Sequence, residues 1–323
     1  MYVLGFDIGG TKCAVTLGKS EIPEDVGELI LDKLSFPTAV ERGYASVIKQ
    51  LLDSADALLE RNAVGKGELL SCGISCGGPL DSKKGVIQCP PNLPDWDNVP
   101  ITDIFGEHFG VPVYLQNDAN ACAVAEWKFG AGRGLENLVF LTFGTGMGAG
   151  LILDGRLYTG KNDLAGEVGH IRLSETGPLG YGKRGSFEGF CSGGGIERAA
   201  KEMLENHLAH GGESVLADEK DISAKTVAVA AKAGDEFARS VYRQCAKKLG
   251  EGLSILIDIL NPEAIIIGSI YSRDRGLFDE IIADVIKREA LEISGAECKI
   301  LPALLGNSIG DYAALAVALN GKE

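Results

Sequence analysis

The chain has 323 residues, 45% hydrophobic and 24% charged, enough for two domains with ordinary cores. A net charge of -14 and a pI near 4.9 disfavour non-specific contact with nucleic acid or anionic membranes, and neither is expected as a partner. No uninterrupted apolar run reaches the roughly 18 residues of a membrane span, and the amino-terminal residues already read as a strand, not a signal peptide. Eight cysteines, with no CxxC pair and mostly in apolar runs, read as reduced thiols of a cytoplasmic protein.

In chain order, residues 2–8 and 12–18 predict a hairpin around Gly9-Gly10, with a further strand over 28–36. Apolar residues from Tyr44 to Leu59 recur at helical spacing and predict a helix over 43–62. Leu69–Cys76 reads as a buried strand ended by Gly77-Gly78-Pro79, and 111–116 as another, with a helix over 119–129 behind it. A second strand–glycine–strand pattern spans 138–158. A glycine-rich stretch over 176–195 follows, and Ser192 is placed to cap the helix after it. A long helix over 235–260 stops at Asn261-Pro262, Ala264–Gly268 is a short buried strand, and 309–320 is a last apolar helix.

The two glycine turns, Asp7-Ile8-Gly9-Gly10-Thr11-Lys12 and Gly144-Thr145-Gly146-Met147-Gly148, are the main chemical signal. Glycine tolerates φ > 0 and adds no Cβ, so such turns let backbone N–H groups converge on an anion. A facing pair would grip a triphosphate, which points to phosphoryl transfer. Alone, each is also compatible with a plain hairpin. Asp7 is placed to hold Mg²⁺ through water, since that ion prefers oxygen ligands. Asn117-Asp118 ends an apolar strand, where open α/β folds bind ligands; Asp118 as a base for a hydroxyl, with Asn117 hydrogen-bonding the substrate, competes with one of the pair simply capping the next helix. Glu167 and His170 offer acceptor and donor for sugar hydroxyls, or are a surface carboxylate and a core imidazole. Glu188 alone reads as a solvated loop carboxylate. Asn92, in a proline-stiffened loop with Trp96, is a polar anchor or part of a rigid turn.

The repeated hairpin suggests duplicated α/β halves with a cleft between them. Together, the order and spacing of these motifs, with Gly77-Gly78-Pro79-Leu80-Asp81, Pro91-Asn92-Leu93 and Asn117-Asp118-Ala119-Asn120, resemble the ROK family over nearly the whole chain. That family groups bacterial sugar kinases and sugar-responsive repressors within the hexokinase–actin ATPase superfamily. The resemblance implies a two-domain, actin-like, ribonuclease H-like α/β fold with an interdomain cleft. The expected division is a smaller domain over 1–116, joined by the terminal helix 308–323, and a larger one over 117–307. It implies Asp118 as catalytic base, and Gly78, Asn92, Asn117, Glu167, His170 and Glu188 as sugar contacts. Asp7, Gly9, Gly10, Thr11, Lys12, Gly144, Thr145 and Gly146 match the ATP-phosphate loops, and Gly268 and Gly306 resemble the nucleoside-side glycines. ATP, Mg²⁺ and a homodimer are implied as well.

One departure stands out. Many family members carry cysteines after the Gly-His motif that bind zinc with that histidine. Here Leu179, Tyr181 and Ser186 occupy those positions, and none supplies a thiolate. No zinc is expected, and something else must orient His170, with Tyr181 and Phe187 the candidates for packing the sugar loop. Only six residues precede Asp7, so the DNA-binding domain of the repressors is not expected. The expected activity is transfer of the ATP γ-phosphate to a hexose 6-hydroxyl, as in glucokinases. The rival readings are a kinase for N-acetylmannosamine, fructose or allose, polyphosphate as donor, and a non-catalytic sugar sensor.

Overall fold

The computed structural model describes residues 1–321 and contains two compact units. Unit one takes in Met1–Glu136, Gly150–Ala165 and the chain from Leu304 onward; unit two takes in Asn137–Ala149 and Gly166–Ala303. The expected boundary near Asn117 falls inside unit one, and positions 322–323 of the expected terminal segment lie outside the described residues.

Unit one starts with β1 (Tyr2–Ile8) and β2 (Lys12–Lys19), antiparallel around the first glycine turn, and β3 (Ile30–Pro37) adds to β2. Helix α1 (Tyr44–Arg61) buries Val47, Ile48, Leu51, Ala55, Leu58 and Leu59 along one face, the stripe that its sequence spacing predicts. Strand β4 (Leu69–Cys76) runs parallel to β1. The chain then makes a small hairpin, β5 (Leu80–Asp81) with β6 (Val86–Ile87), and a short helix, α2 (Ile101–Phe109). Phe105 of α2 meets Phe6 edge-on, ring centroids 4.7 Å apart, in the core under the sheet. Strand β7 (Val113–Asn117) closes the sheet beside β4, in the order β3-β2-β1-β4-β7, and leads into α3 (Asp118–Phe129).

The next strands are β8 (Leu138–Phe143), β9 (Met147–Leu153) and β10 (Arg156–Tyr158). Unit two continues with the hairpin β11 (Leu179–Gly180) and β12 (Lys183–Arg184), the single turn α4 (Phe187–Phe190), and α5 (Gly193–Ala209), whose first turn is capped by Ser192. Helix α6 (Ala224–Ala233) is held by a capping box between Ser223 and Thr226. Helix α7 (Glu236–Leu260) is capped by Asp235 and ends at Asn261 in the left-handed region, φ 44°. The fully buried β13 (Ala264–Ile267) lies between β8 and β14 (Lys299–Pro302), parallel to both; α8 (Ile270–Asp274), α9 (Asp279–Glu289) and α10 (Glu292–Glu297) fill the connection. The second sheet is ordered β10-β9-β8-β13-β14. In both sheets the first three strands run outward to one edge, and two parallel strands follow on the other side, so one topology is used twice.

Helix α11 (Ile309–Asn320) returns the chain to unit one. It lies on the first sheet over Gly5, Gly18 and Gly73. A Cβ on Gly73 would stand 2.2 Å from the Ala318 nitrogen and 2.3 Å from the Ala314 oxygen, so helix and sheet backbones touch there. Among the described residues, no helix is long and apolar enough to cross a membrane.

Candidate active site

The first glycine turn is closed by Gly9 N–H donating to Lys12 O at 3.1 Å, and Thr38 Oγ1 donates to Gly9 O at 2.6 Å. The glycines here do not take φ > 0, which corrects the reason expected for them. Close approach explains them instead: a Cβ on Gly10 would lie 2.5 Å from Asn92 O. The structure thus brings the Asn92 loop against the first turn, with Trp96 of the same loop fully buried. Thr11 and Lys12 are exposed at the turn.

Asp7 is half-buried at the end of β1. Burial, then the neighbouring Asp311 and Asp118, push its carboxyl up to about 6, against weaker pulls from Lys33 and Lys12. Asp311, in the first turn of α11, is buried and ion-paired to Lys33 Nζ at 2.6 Å. Gly310 permits this arrangement, since a Cβ there would stand 2.6 Å from Asp7 Oδ2. The Lys33–Asp311 pair was not singled out in the sequence, although a lone carboxylate in an otherwise apolar helix is a legible signal.

Asn117 caps α3: its Oδ1 accepts the Ala119 N–H at 3.0 Å, so the bland reading of this residue is realised. Its Nδ2 remains beside Gly78, 3.1 Å from where a Cβ on that glycine would be. Asp118 is exposed as the first helical residue, and its Oδ1 accepts the same Ala119 N–H at 2.7 Å. Unit one therefore gathers Asp7, Gly9, Gly10, Asn92, Gly78, Asn117 and Asp118 around the carboxyl ends of β1, β4 and β7. Gly306, exposed with φ 56°, has open space about it. A cavity of about 500 Å³ in this unit, near Lys83, Thr102, Tyr114 and Asn320, includes none of these residues; the chemistry of the side chains, not cavity size, locates the site.

In unit two, Gly144 N–H donates to Gly146 O at 3.2 Å, closing the second turn, and again no positive φ is used. The amino end of α5 backs this turn: Gly193 N–H donates to Gly144 O at 2.7 Å. Glu188 is not a solvated loop carboxylate. Its Oε2 accepts the Met147 N–H at 3.1 Å and lies 2.9 Å from the Cβ position of Gly146. Gly169 lets it pack there, since a Cβ would meet Glu188 Cβ and Tyr181 Cε2 at 3.2 Å each. Glu167 precedes a single 3-10 turn that His170 ends, and His170 is exposed, not a core imidazole. Tyr181 OH donates to Glu167 Oε2, the Tyr181 ring meets His170 edge-on at 5.4 Å, and Lys183 Nζ lies 3.1 Å from His170 Nδ1. Phe187 instead is fully buried against Gly252. Gly268 ends β13, its N–H donating to Leu141 O at 3.0 Å. Among the described residues no group of three or more His, Cys, Asp or Glu side chains is gathered to hold a metal ion.

Two sheets of one topology, each with a glycine turn after its first strand, define the actin-like ATPase fold. The chain belongs to the ROK family, whose family model matches residues 3–320. It is 34% identical over 317 residues to a glucokinase of Halalkalibacterium halodurans, covering 96% of this chain and 92% of that one. It is 36% identical over 273 residues to a glucokinase of Thermotoga maritima, covering 84% and 82% respectively. The solved structure of a ROK family glucokinase from Streptomyces griseus in complex with glucose and AMPPNP superposes with a TM-score of 0.74 at 30% identity, over 98% of this chain and 99% of that one.

Proposed function

We propose that this chain is an ATP-dependent hexose kinase of the glucokinase type, transferring the γ-phosphate to the sugar 6-hydroxyl. The observation that carries this reading is the carboxylate cluster beside the first glycine turn, with Asp118 exposed at a strand end. Full-length similarity to glucokinases supports it.

In this reading Asp118 accepts the hydroxyl proton as the sugar oxygen bonds to the γ-phosphorus, and the bond to the β,γ-bridging oxygen breaks to release ADP. Such transfers proceed through a loose transition state, so positioning and charge stabilisation do most of the work. Gly78, Asn92, Asn117, Glu167, His170 and Glu188 are assigned to the sugar. Gly9, Gly10, Thr11, Lys12, Gly144, Thr145, Gly146, Gly268 and Gly306 are assigned to the nucleotide. The donor set around Asp7 suits Mg²⁺: a half-buried carboxylate crowded by Asp311 and Asp118 offers only hard oxygen ligands, and its pKa is raised first by burial and then by those two like charges. Asp7 would hold the ion through water, and the ion would neutralise charge on the polyphosphate. A homodimer in the cytoplasm completes the proposal.

The test is ADP release with glucose and a panel of hexoses, for wild type and Asp118→Asn. The variant keeps the oxygen that accepts the Ala119 N–H, so its melting temperature should match wild type. Turnover should fall by about 10²- to 10⁴-fold, the usual contribution of a general base. Near-normal turnover in a folded variant would remove Asp118 from the role. Absence of any hexose-dependent ADP release in wild type would favour a sensor.

A further inference from the structure

We propose that Tyr181 and Lys183, at the tip and return strand of the β11–β12 hairpin, are positioning residues that pre-set Glu167 and His170 for a pair of sugar hydroxyls. The inference rests on the kinase reading for the identity of the ligand, and on geometry for the rest.

Tyr181 is the first observation. Together with Gly182 it forms the turn of the hairpin, at φ 51° and 70° respectively. The left-handed region is natural for glycine and costly for a tyrosine, whose Cβ crowds the following carbonyl. A residue held in such a conformation invites the question of what its side chain does. Here the hydroxyl donates to Glu167 Oε2, and the ring packs over Gly169 and against the His170 edge. With Oε2 occupied, Oε1 of Glu167 is the oxygen left for a ligand hydroxyl, and its rotamer is fixed in advance.

Lys183 is the second. An ammonium carries three donors and no acceptor, so the 3.1 Å contact with His170 requires Nδ1 to be the acceptor. Neutral His170 is therefore the tautomer with its proton on Nε2, which leaves Nε2–H as the ring's donor. The two residues together then offer one acceptor and one donor, the complement of a pair of hydroxyls. Fixing both before binding removes ordering cost from the complex. Phosphoryl transfer is sensitive to acceptor position, so this order should appear in the sugar terms of the kinetics.

Two full-length variants decide the matter. In Lys183→Met, long-range ¹⁵N–¹H spectra of the His170 ring above pH 8 should move from the Nε2–H pattern of wild type towards a mixture of tautomers; assignment comes from the missing signals of His170→Gln. Unchanged nitrogen shifts would overturn the role of Lys183, and this arm needs no knowledge of the acceptor sugar. In Tyr181→Gly, glycine suits the turn, so the melting temperature should equal or exceed wild type while KM for glucose rises at least tenfold and KM for ATP stays within threefold. Tyr181→Phe, which keeps the ring, should show the same split to a lesser degree. A lowered melting temperature in Tyr181→Gly, or an unmoved sugar KM in either Tyr181 variant, would reduce Tyr181 to a structural part. A wild type without turnover would defeat the kinase reading while the spectra still judged the tautomer.

Discussion

Asp7 shows how a single side chain records what its surroundings lack. Its carboxyl ordinarily titrates near 3.8, and in the fold it titrates near 6 because burial and two like charges oppose ionisation. Between those values the folded chain binds more protons than the unfolded chain, so stability contributed at low pH is lost as pH rises through 6. Two pKa units correspond to about 3 kcal/mol. Asp7→Asn should therefore leave stability unchanged below pH 4 and raise it by up to about 3 kcal/mol above pH 6. Urea unfolding in EDTA across that range would check it; equal stabilities at pH 7.5 would mean the ionised Asp7 is not strained. The residue types of the site were visible in the chain, but their partners were not. Gly10 owes its identity to Asn92, and Gly146 to Glu188, approaches that only the folded chain creates. Local conformational freedom was the wrong warrant for these glycines, and steric contact is the right one.

At the level of elements, α1 was legible from its 3.6-residue stripe, and β1, β2, β4 and α11 from apolar runs bounded by glycine turns or polar residues. Asn117 and Ser192 are caps, as their side chains predict. The strand expected over 111–116 begins at Val113, because Pro112 has no N–H to give the ladder, though its carbonyl accepts from Cys72. No element was expected over 101–109, 224–233, 279–289 or 299–302. Alanine-rich α6 offers little contrast between faces, and the four residues of β14 are too few to show alternation. Elements also meet in ways composition hides. Helix α11 is rich in alanine because glycines face it from the sheet, and Gly73 leaves no room for a methyl group. Gly73→Ala forces two backbones apart, and overpacking of this kind costs about 1–3 kcal/mol. Denaturant melts should show that loss, whereas Gly110→Ala, with open space at φ 70°, should lose stability only through its backbone conformation. An unchanged melt for Gly73→Ala would refute the contact argument.

For the whole molecule, the division into units is not a division of the sequence into two pieces. Unit one is built from the first 136 residues, a short insertion, and the chain after Leu304. A buried carboxylate helps to fasten that return. Glu126, fully buried in α3, accepts the Ala131 N–H at 2.8 Å with one oxygen and the Leu305 N–H at 2.9 Å with the other. Removing it strands two donors, each at a cost of about 1–3 kcal/mol. Glu126→Ala should expose the segment around Leu304 to limited proteolysis well before the rest of the chain, while Glu126→Gln should fall between the variant and wild type. Indifference of the cleavage pattern to both changes would show that α11 alone secures the return. The arrangement also bears on how the protein is made. The strands around the first glycine turn leave the ribosome long before the helix that covers their glycine-lined face. A nascent chain must keep that bare surface from wrong partners until the helix emerges, and the glycine-turn end of β1 can mature only then.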